Sequence, residues 1–510
     1  MRDRIVQARV HKNRQDFIES INEDDICRLA SSYHGGDPCS FFKPPDRGSY
    51  NSCYFVEFGG SAGIGIGRSR GDDVTGSNGS SDGFNNSKKR GGDRWVVRVP
   101  LSPYLAMPAY DKLESEVAVM QLIAAKTTIP IPPLHAYSLA REKGPYGVAS
   151  FMILGYVEGR SLNDVPFKSI TKAQELNLHT QLADIFIQLR RLEFPAIGRL
   201  APSADGKGGV EVRKAPISNA INLQEIEGLH PLRVMADYAD YEDGSLASAN
   251  GYVAMLIQLA HNAFKMGRNN VYSEADGSDS LYHIDQFETF VERRWLKSEL
   301  DLGPFVLAHG DFRKYNLMVD DDLDIVAVLD WEWSLVVPLQ FFSPPTWLTN
   351  QPVSALTLEF PYIEYVEKLD EFRDIVRERE LARYGNELLS KEWAHVHENG
   401  GVMVSSALES WTDIDFVSGW YLNRLLHPSK LLATRRRGAA ITAAQLGDER
   451  RRNLDSRIQQ FMKQDPSRAE LVARKVADYL AYRTERKALG VEDSEDEDQE
   501  KEEEDRYCQV

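Results

Sequence analysis

Residues 305–333 constrain the fold of this chain more than any other stretch. They read FVLAHGDFRKYNLMVDDDLDIVAVLDWEW. An apolar run, Phe305–Ala308, leads directly into His309-Gly310-Asp311, and Asn316 follows five residues after that Asp. Residues 317–319 and 325–329 read as two short strands around an Asp-rich turn, and the second delivers Asp330 at its end. Two acids and one amide at the mouths of short strands are oxygen ligands of the kind a hard divalent cation takes.

With 510 residues the chain exceeds one ordinary core, and two or more packed units are expected. A hydrophobic content of 42% with 10% aromatics is globular. The formal charge of −17 argues against a nucleic-acid partner, and the block 492–505 alone contributes −10 of it. Cys27, Cys39, Cys53 and Cys508 form no C-x-x-C pair and are too few for a disulfide framework, so free thiols are expected. Residues 1–20 contain no apolar stretch of the kind a secretory leader carries. No run approaches the ~20 apolar residues of a spanning helix, so no membrane partner is expected. The expected location is cytoplasmic. Arg2, Arg4, Arg9, Lys12 and Arg14 leave a mitochondrial leader as the alternative.

Along the chain, Phe17, Ile18, Ile21, Ile26 and Leu29 fall at near-helical spacing, which predicts one or two opening helices. Pro44-Pro45 and Gly48 end that pattern. Residues 50–58 are aromatic and β-branched and predict a strand. Residues 59–94 are then mostly Gly, Ser, Asn and Asp, a flexible insertion with almost nothing to bury. Strand character returns at 94–100, so the insertion reads as an expanded hairpin turn between two paired strands. A helix is predicted over 112–126, with Leu113, Val117, Met120 and Ile123 or Leu122 as its apolar stripe. Residues 146–154 read as a buried strand running into a turn-rich connector. Helices are predicted after that, over 178–192, 253–266, 284–300, 363–384, 393–426 (broken at Gly400-Gly401) and 449–489. The expected fold class is α+β: a small antiparallel sheet with a helix first, then a large mainly helical lobe. The expected division is 1–154, 155–490 and an acidic tail at 491–510.

Phosphoryl transfer requires an acid for the acceptor proton, oxygen ligands for Mg²⁺, a cation on the phosphates and a backbone loop that approaches them. Asp311 fits the first role, with Gly310 allowing a tight turn before it. Asn316 and Asp330 fit the second. HGDFRKYN followed by VLDWE resembles the aminoglycoside phosphotransferase family, which includes choline kinases and is related to protein kinases. The resemblance implies that Asp311 is the catalytic base and that Asn316 and Asp330 hold magnesium. It is strongest to fungal-type members, in which motifs like RGSYN (Arg47 to Asn51), WVVRVP (Trp95 to Pro100), LESEVA (Leu113 to Ala118) and T-x-I-P-x-P (Thr127 to Pro132) come in this order.

The same resemblance puts Gly48, Ser49, Tyr50 and Asn51 in place of the phosphate-covering loop. A glycine followed by small polar residues at a strand-to-strand turn can offer backbone N–H groups to an anion. Gly63-x-Gly65-x-Gly67 is set aside, because it lies inside the low-complexity insertion with no helix after it. Arg98 stands where the family usually keeps a phosphate-pairing lysine. A charge on an otherwise apolar strand needs a partner, for which Glu116 is the first choice and Glu114 the alternative. Arginine is a bidentate fork where lysine is a point charge. Residues 151–159 resemble the hinge between lobes, with backbone groups from Leu154 through Tyr156 to Val157 meeting the adenine edge. His309 is expected to brace the loop, Glu332 to orient a neighbour, and Trp331 and Trp333 to be core. Histidine spacing gives no zinc set.

These readings imply a phosphotransferase that uses ATP and Mg²⁺ to phosphorylate a small-molecule hydroxyl acceptor. The alternative is a kinase-like nucleotide-binding protein with little or no turnover. HGD in place of HRD, DWE in place of DFG and the absence of an A-P-E segment argue against a protein kinase.

Overall fold

The computed structural model describes residues 3–59, 92–204, 209–240, 242–397, 400–427 and 443–491. Almost all of the Gly/Ser-rich insertion and the acidic tail therefore lie outside the described residues, as does Cys508. The chain divides into two compact units. One comprises Asp16–Ser102 and Pro132–Tyr156, and the other comprises Met1–Gln15, Pro103–Ile131 and Val157–Val510. Helix α1 (Arg4–Glu19) contains the boundary between them.

The first unit is a five-stranded antiparallel sheet with one helix on it. After α2 (Glu23–Tyr33) come β1 (Cys39–Arg47), β2 (Asn51–Phe58) and β3 (Arg94–Pro100). Helix α3 (Ala109–Lys126) intervenes in sequence before β4 (Leu134–Leu139) and β5 (Ser150–Gly155). The spatial order is β1-β2-β3-β5-β4. Strands β2 and β3 pair from Asn51 opposite Pro100 to Glu57 opposite Arg94, the pairing expected across the insertion. Alternation sends Tyr54, Val56, Phe58, Trp95, Val97 and Val99 to one face, where they meet Ile26 and Leu29 of α2. Asn22 caps α2 by accepting from the Asp24 N–H at 2.8 Å. Strand β1 was hidden in the sequence by Pro44 and Pro45. It is an edge strand whose register shifts between Phe41 and Lys43 and between Lys43 and Asp46, which is where prolines are tolerated.

The second unit is mainly helical, with short strands set among the helices. In order it holds β6 (Arg160–Ser161), α4 (Lys172–Arg190), β7 (Glu193–Phe194), and a hairpin of β8 (Arg199–Pro202) and β9 (Val210–Lys214). Helices α5 (Asn219–Ile226), α6 (Pro231–Met235), α7 (Ala249–Met266) and α8 (Glu274–Phe290) follow. Four strands come next, β10 (Phe305–Ala308), β11 (Leu317–Val319), β12 (Ile325–Val328) and β13 (Leu335–Pro338). They form two three-stranded sheets, ordered β13-β10-β7 and β12-β11-β6. Long helix α9 (Glu359–Tyr384) ends at Gly385 in the left-handed region. Its Glu380 is fully buried and satisfied, accepting from the N–H groups of Leu388, Leu389 and Ser390 at 2.8–3.1 Å.

Helix α3 groups with this second unit and not with the sheet. Charge pairs anchor it there. Arg199 and Lys214 of the β8–β9 hairpin donate to Asp111 at 2.9 and 2.6 Å, and Lys112 pairs with Glu332. The single helix predicted over 449–489 is two, Ala443–Gln464 and Pro466–Ala488. Pro466 opens the second, and Asp465 caps it. The predicted helix over 284–300 instead starts ten residues earlier and closes in a π turn, Val291–Trp295. Among the described residues no helix is long and apolar enough to cross a membrane.

Candidate active site

The loop from His309 to Asn316 is held by its own flank. Gly310 adopts φ 78°, and a Cβ there would lie 2.0 Å from the Trp333 carbonyl oxygen, so only glycine fits. His309 is buried between two backbone partners. Its Nε2–H donates to the Leu329 carbonyl at 2.8 Å, and its Nδ1 accepts the Asp311 N–H at 3.3 Å. That pattern needs the neutral ring. Burial also pushes the imidazole down, to about 4. His309 thus braces the loop as expected, and it does so against the strand end that delivers Asp330.

Asn316 completes the link. Its Nδ2 donates to the Asp311 carbonyl at 2.9 Å and to Asp311 Oδ2 at 3.1 Å. Its own carbonyl accepts the Leu329 N–H at 2.8 Å, which carries the β11–β12 ladder one step past the Leu317–Val328 pair. Asp330 comes next, with its backbone in the left-handed region at φ 62°. The ladder therefore draws Asp311, Asn316 and Asp330 together. Both Asn316 donor bonds point at Asp311, which leaves the amide oxygen as the atom for a cation. That oxygen and the Asp330 carboxylate suit magnesium, which fills its other positions with phosphate and water. Among the described residues no cluster of three or more His, Cys, Asp or Glu could hold a metal ion.

Two residues that sequence reasoning did not single out touch the Asp311 carboxylate. Tyr315 Oη donates to both oxygens at 3.1 Å, and Arg313 Nε stands 3.1 Å from Oδ1. Burial, with the Asp311 charge beside it, pushes the Tyr315 phenol up to about 12, so it stays a donor. A signal existed, since Tyr315 falls four residues after Asp311 within the motif. Lys314 turns elsewhere. It donates to Asn350 and lies 5.0 Å from the centre of the Phe167 ring. Both of those residues line a cavity of about 360 Å³, whose wall also carries Glu175, Glu364, Glu367 and Glu371 with Lys368.

The Trp331–Trp333 turn follows Asp330 directly. Trp331 and Trp333 are core, as expected, and Glu332 accepts from Lys112. Glu116 is buried one turn further along α3. Glu114, the alternative given for the Arg98 partner, accepts from Lys214 of the β8–β9 hairpin.

The remaining predicted residues lie in the sheet unit. Gly48, Ser49 and Tyr50 form the β1–β2 turn and Asn51 opens β2, with the Leu101 N–H donating to the Tyr50 carbonyl at 2.8 Å. Arg98 is buried on β3, opposite Cys53 and Met152. Leu154 pairs with Val96 on one side and with Leu134 on the other. The N–H groups of Gly155 and Tyr156 donate to the Pro133 and Arg94 carbonyls at 2.8 and 2.9 Å.

The chain belongs to the phosphotransferase enzyme family (APH), whose model matches residues 79–339. It is 25% identical over 284 residues to the clavilactone A biosynthesis cluster protein Y of Ampulloclitocybe clavipes, covering 54% of this chain and 64% of that one. It is 31% identical over 118 residues to a subtelomeric hrmA-associated cluster protein of Aspergillus fumigatus, 23% of this chain and 22% of that one. The chain thus spans less than two thirds of the length of either relative. A thermostable variant of aminoglycoside phosphotransferase APH(4)-Ia, solved with AMP-PNP and hygromycin B, aligns over 82% of this chain and 99% of its own at 14% identity and TM-score 0.37. The macrolide 2'-phosphotransferase MphH of Brachybacterium faecium aligns over 81% and 96% at 12% identity and TM-score 0.35. Both structural likenesses are weak, and the family membership rests on the sequence match.

Proposed function

We propose that this enzyme moves the γ-phosphoryl group of ATP to a hydroxyl of a small molecule and that it requires magnesium. The observation that carries this reading is the bonding of Asp311 to Asn316 and of Asn316 to the strand end that bears Asp330. The Asp311 carboxylate, its side chain 24% exposed, takes the acceptor hydroxyl proton. The freed oxygen attacks the γ-phosphorus, the bond to the bridging oxygen breaks, and ADP leaves. Asn316 and Asp330 hold the magnesium, which when bound offsets phosphate charge. Arg98 serves the phosphates, and Glu116 belongs to the same catalytic set. Gly48, Ser49, Tyr50 and Asn51 cover them with backbone N–H groups. Leu154 and Tyr156 flank the adenine, and the prior commitment of the Gly155 and Tyr156 donors narrows the backbone donor in that stretch to the Val157 N–H.

The cavity beside Lys314, with four glutamates and one lysine on its wall, favours an amine-bearing acceptor. Thermal unfolding with and without MgATP tests the nucleotide reading. Wild type should gain stability with MgATP, by roughly 2.7 kcal/mol at a hundred times Kd. Asp330→Ala should lose the magnesium-dependent share of that gain. No shift in wild type would refute the nucleotide site, and an undiminished shift in Asp330→Ala would refute its metal role. ATP binding without transfer to any acceptor in a broad screen would favour the low-turnover alternative.

A further inference from the structure

One buried ion pair of the second unit joins the motif residue Glu332 to a lysine that neither the motif nor the mechanism above uses. Lys112 of α3 is 2% exposed and Glu332 is 4% exposed, and Lys112 Nζ donates to Glu332 Oε2. The same ammonium stands 5.1 Å from the centre of the Trp333 ring. A pair so far from water gains little over an apolar replacement, because desolvating both ions offsets their attraction. Where such a pair persists, fixing one geometry is its best-attested use.

Here the geometry it grips is specific. Glu332 is the middle residue of the Trp331–Trp333 3₁₀ turn. Asp330 leads into that turn with φ 62° and ψ 61°, a left-handed conformation that a non-glycine residue keeps only when its surroundings enforce it. At the other end of the turn the Trp333 carbonyl covers Gly310, and Ser334 Oγ donates to the His309 carbonyl at 3.2 Å. The turn therefore joins Asp330 to the roof of the Asp311 loop, and α3 holds it by its centre. The helix itself is fixed independently through Asp111 to Arg199 and Lys214.

We propose that Lys112 is a positioning residue for the metal side of the site: through Glu332 it locks the turn that aims the Asp330 carboxylate. Lys112 acts through Glu332 and is not itself assigned to the nucleotide or the metal. The inference rests on the reading of Asp330 as a magnesium ligand.

The test measures how much magnesium is needed for half-maximal stabilisation by ATP, beside ATP binding without magnesium. Lys112→Met is the direct variant, and it removes the cation while keeping the buried Glu332 carboxylate. The double variant Lys112→Met with Glu332→Gln removes both charges and should fold cooperatively. In the double variant the magnesium requirement should rise at least about tenfold, the range seen when supports of metal ligands are removed, while magnesium-free ATP binding holds. Lys112→Arg, which keeps a cation, should recover most of the wild-type requirement. A folded double variant with the wild-type requirement would overturn the proposal. So would equal loss of ATP binding with and without magnesium, or failure of the double variant to fold, since each makes the pair a core element only. If wild type itself shows no magnesium dependence, the metal reading of Asp330 fails before Lys112 is at issue.

Discussion

The two turns proposed for the reaction are built in opposite ways. The His309–Asn316 loop is bonded to its flank by His309, Asn316, Ser334 and the carbonyl over Gly310. The Gly48-Ser49-Tyr50 turn spans two strands, and a Cβ added at Gly48 would meet only the Asn51 carbonyl oxygen, at an ordinary 3.7 Å. The first turn is over-determined, while the second tolerates a side chain. The proposed tasks differ in the same sense. Taking a proton from a hydroxyl demands placement to within about half an ångström. Covering phosphates with backbone N–H groups demands only close approach.

Substitutions should expose that contrast most in the loop. Asp311→Asn is expected to lower kcat by roughly 10²–10⁴-fold, the usual worth of a general base. Calorimetry should show ATP affinity nearly unchanged. Residual turnover within a few-fold of wild type, measured with an acceptor found by screening, would sink the assignment. Gly310→Ala comes next. It would set a Cβ against backbone that has no room to move, at a φ that alanine resists. A loss of about 2–4 kcal/mol in urea unfolding is expected. A loss below 1 kcal/mol would mean that the Trp333 carbonyl can yield.

The loop was legible in the sequence because its partners are close along the chain. His309 meets Asp311 two residues on, and Asp311 meets Asn316 five residues on. Strands β2 and β3 were legible because period-two alternation survives a long insertion. The Lys112–Glu332 pair was legible only at its Glu332 end, inside the VLDWE motif, since the partner is 220 residues away and carries no local signature. Strand β1 was masked by prolines that only an edge position excuses. The break at Asp465-Pro466 was written in the sequence as an N-cap followed by a first-turn proline, a pattern overridden there by the long amphipathic repeat.

The His309 brace makes the loop sensitive to acid. Its imidazole titrates near 4 when folded and near 6.5 when unfolded. Between those values the unfolded chain holds the extra proton, so stability rises with pH across that window. Going from pH 6.5 down to 4 should cost about 3 kcal/mol from this residue, and the loss levels off below 4. His309→Gln can keep a donor toward Leu329 without a titrating ring. Its stability curve should be flatter than that of wild type over this window and parallel to it above pH 7. Parallel curves throughout would mean that the ring is not held neutral.

The smallest effect is expected at the permissive turn. Gly48 has open space around it and no positive φ, so Gly48→Ala should change unfolding free energy by less than about 0.5 kcal/mol. Its consequence should fall on the nucleotide. A methyl group beside backbone N–H groups that face phosphate holds the anion off, which raises KM for ATP while leaving kcat for bound substrate nearly intact. Gly310→Ala should do the reverse, damaging fold and kcat together. If Gly48→Ala lowers kcat as strongly as Gly310→Ala does, the β1–β2 turn is as tightly specified as the loop, and the contrast between the two turns disappears.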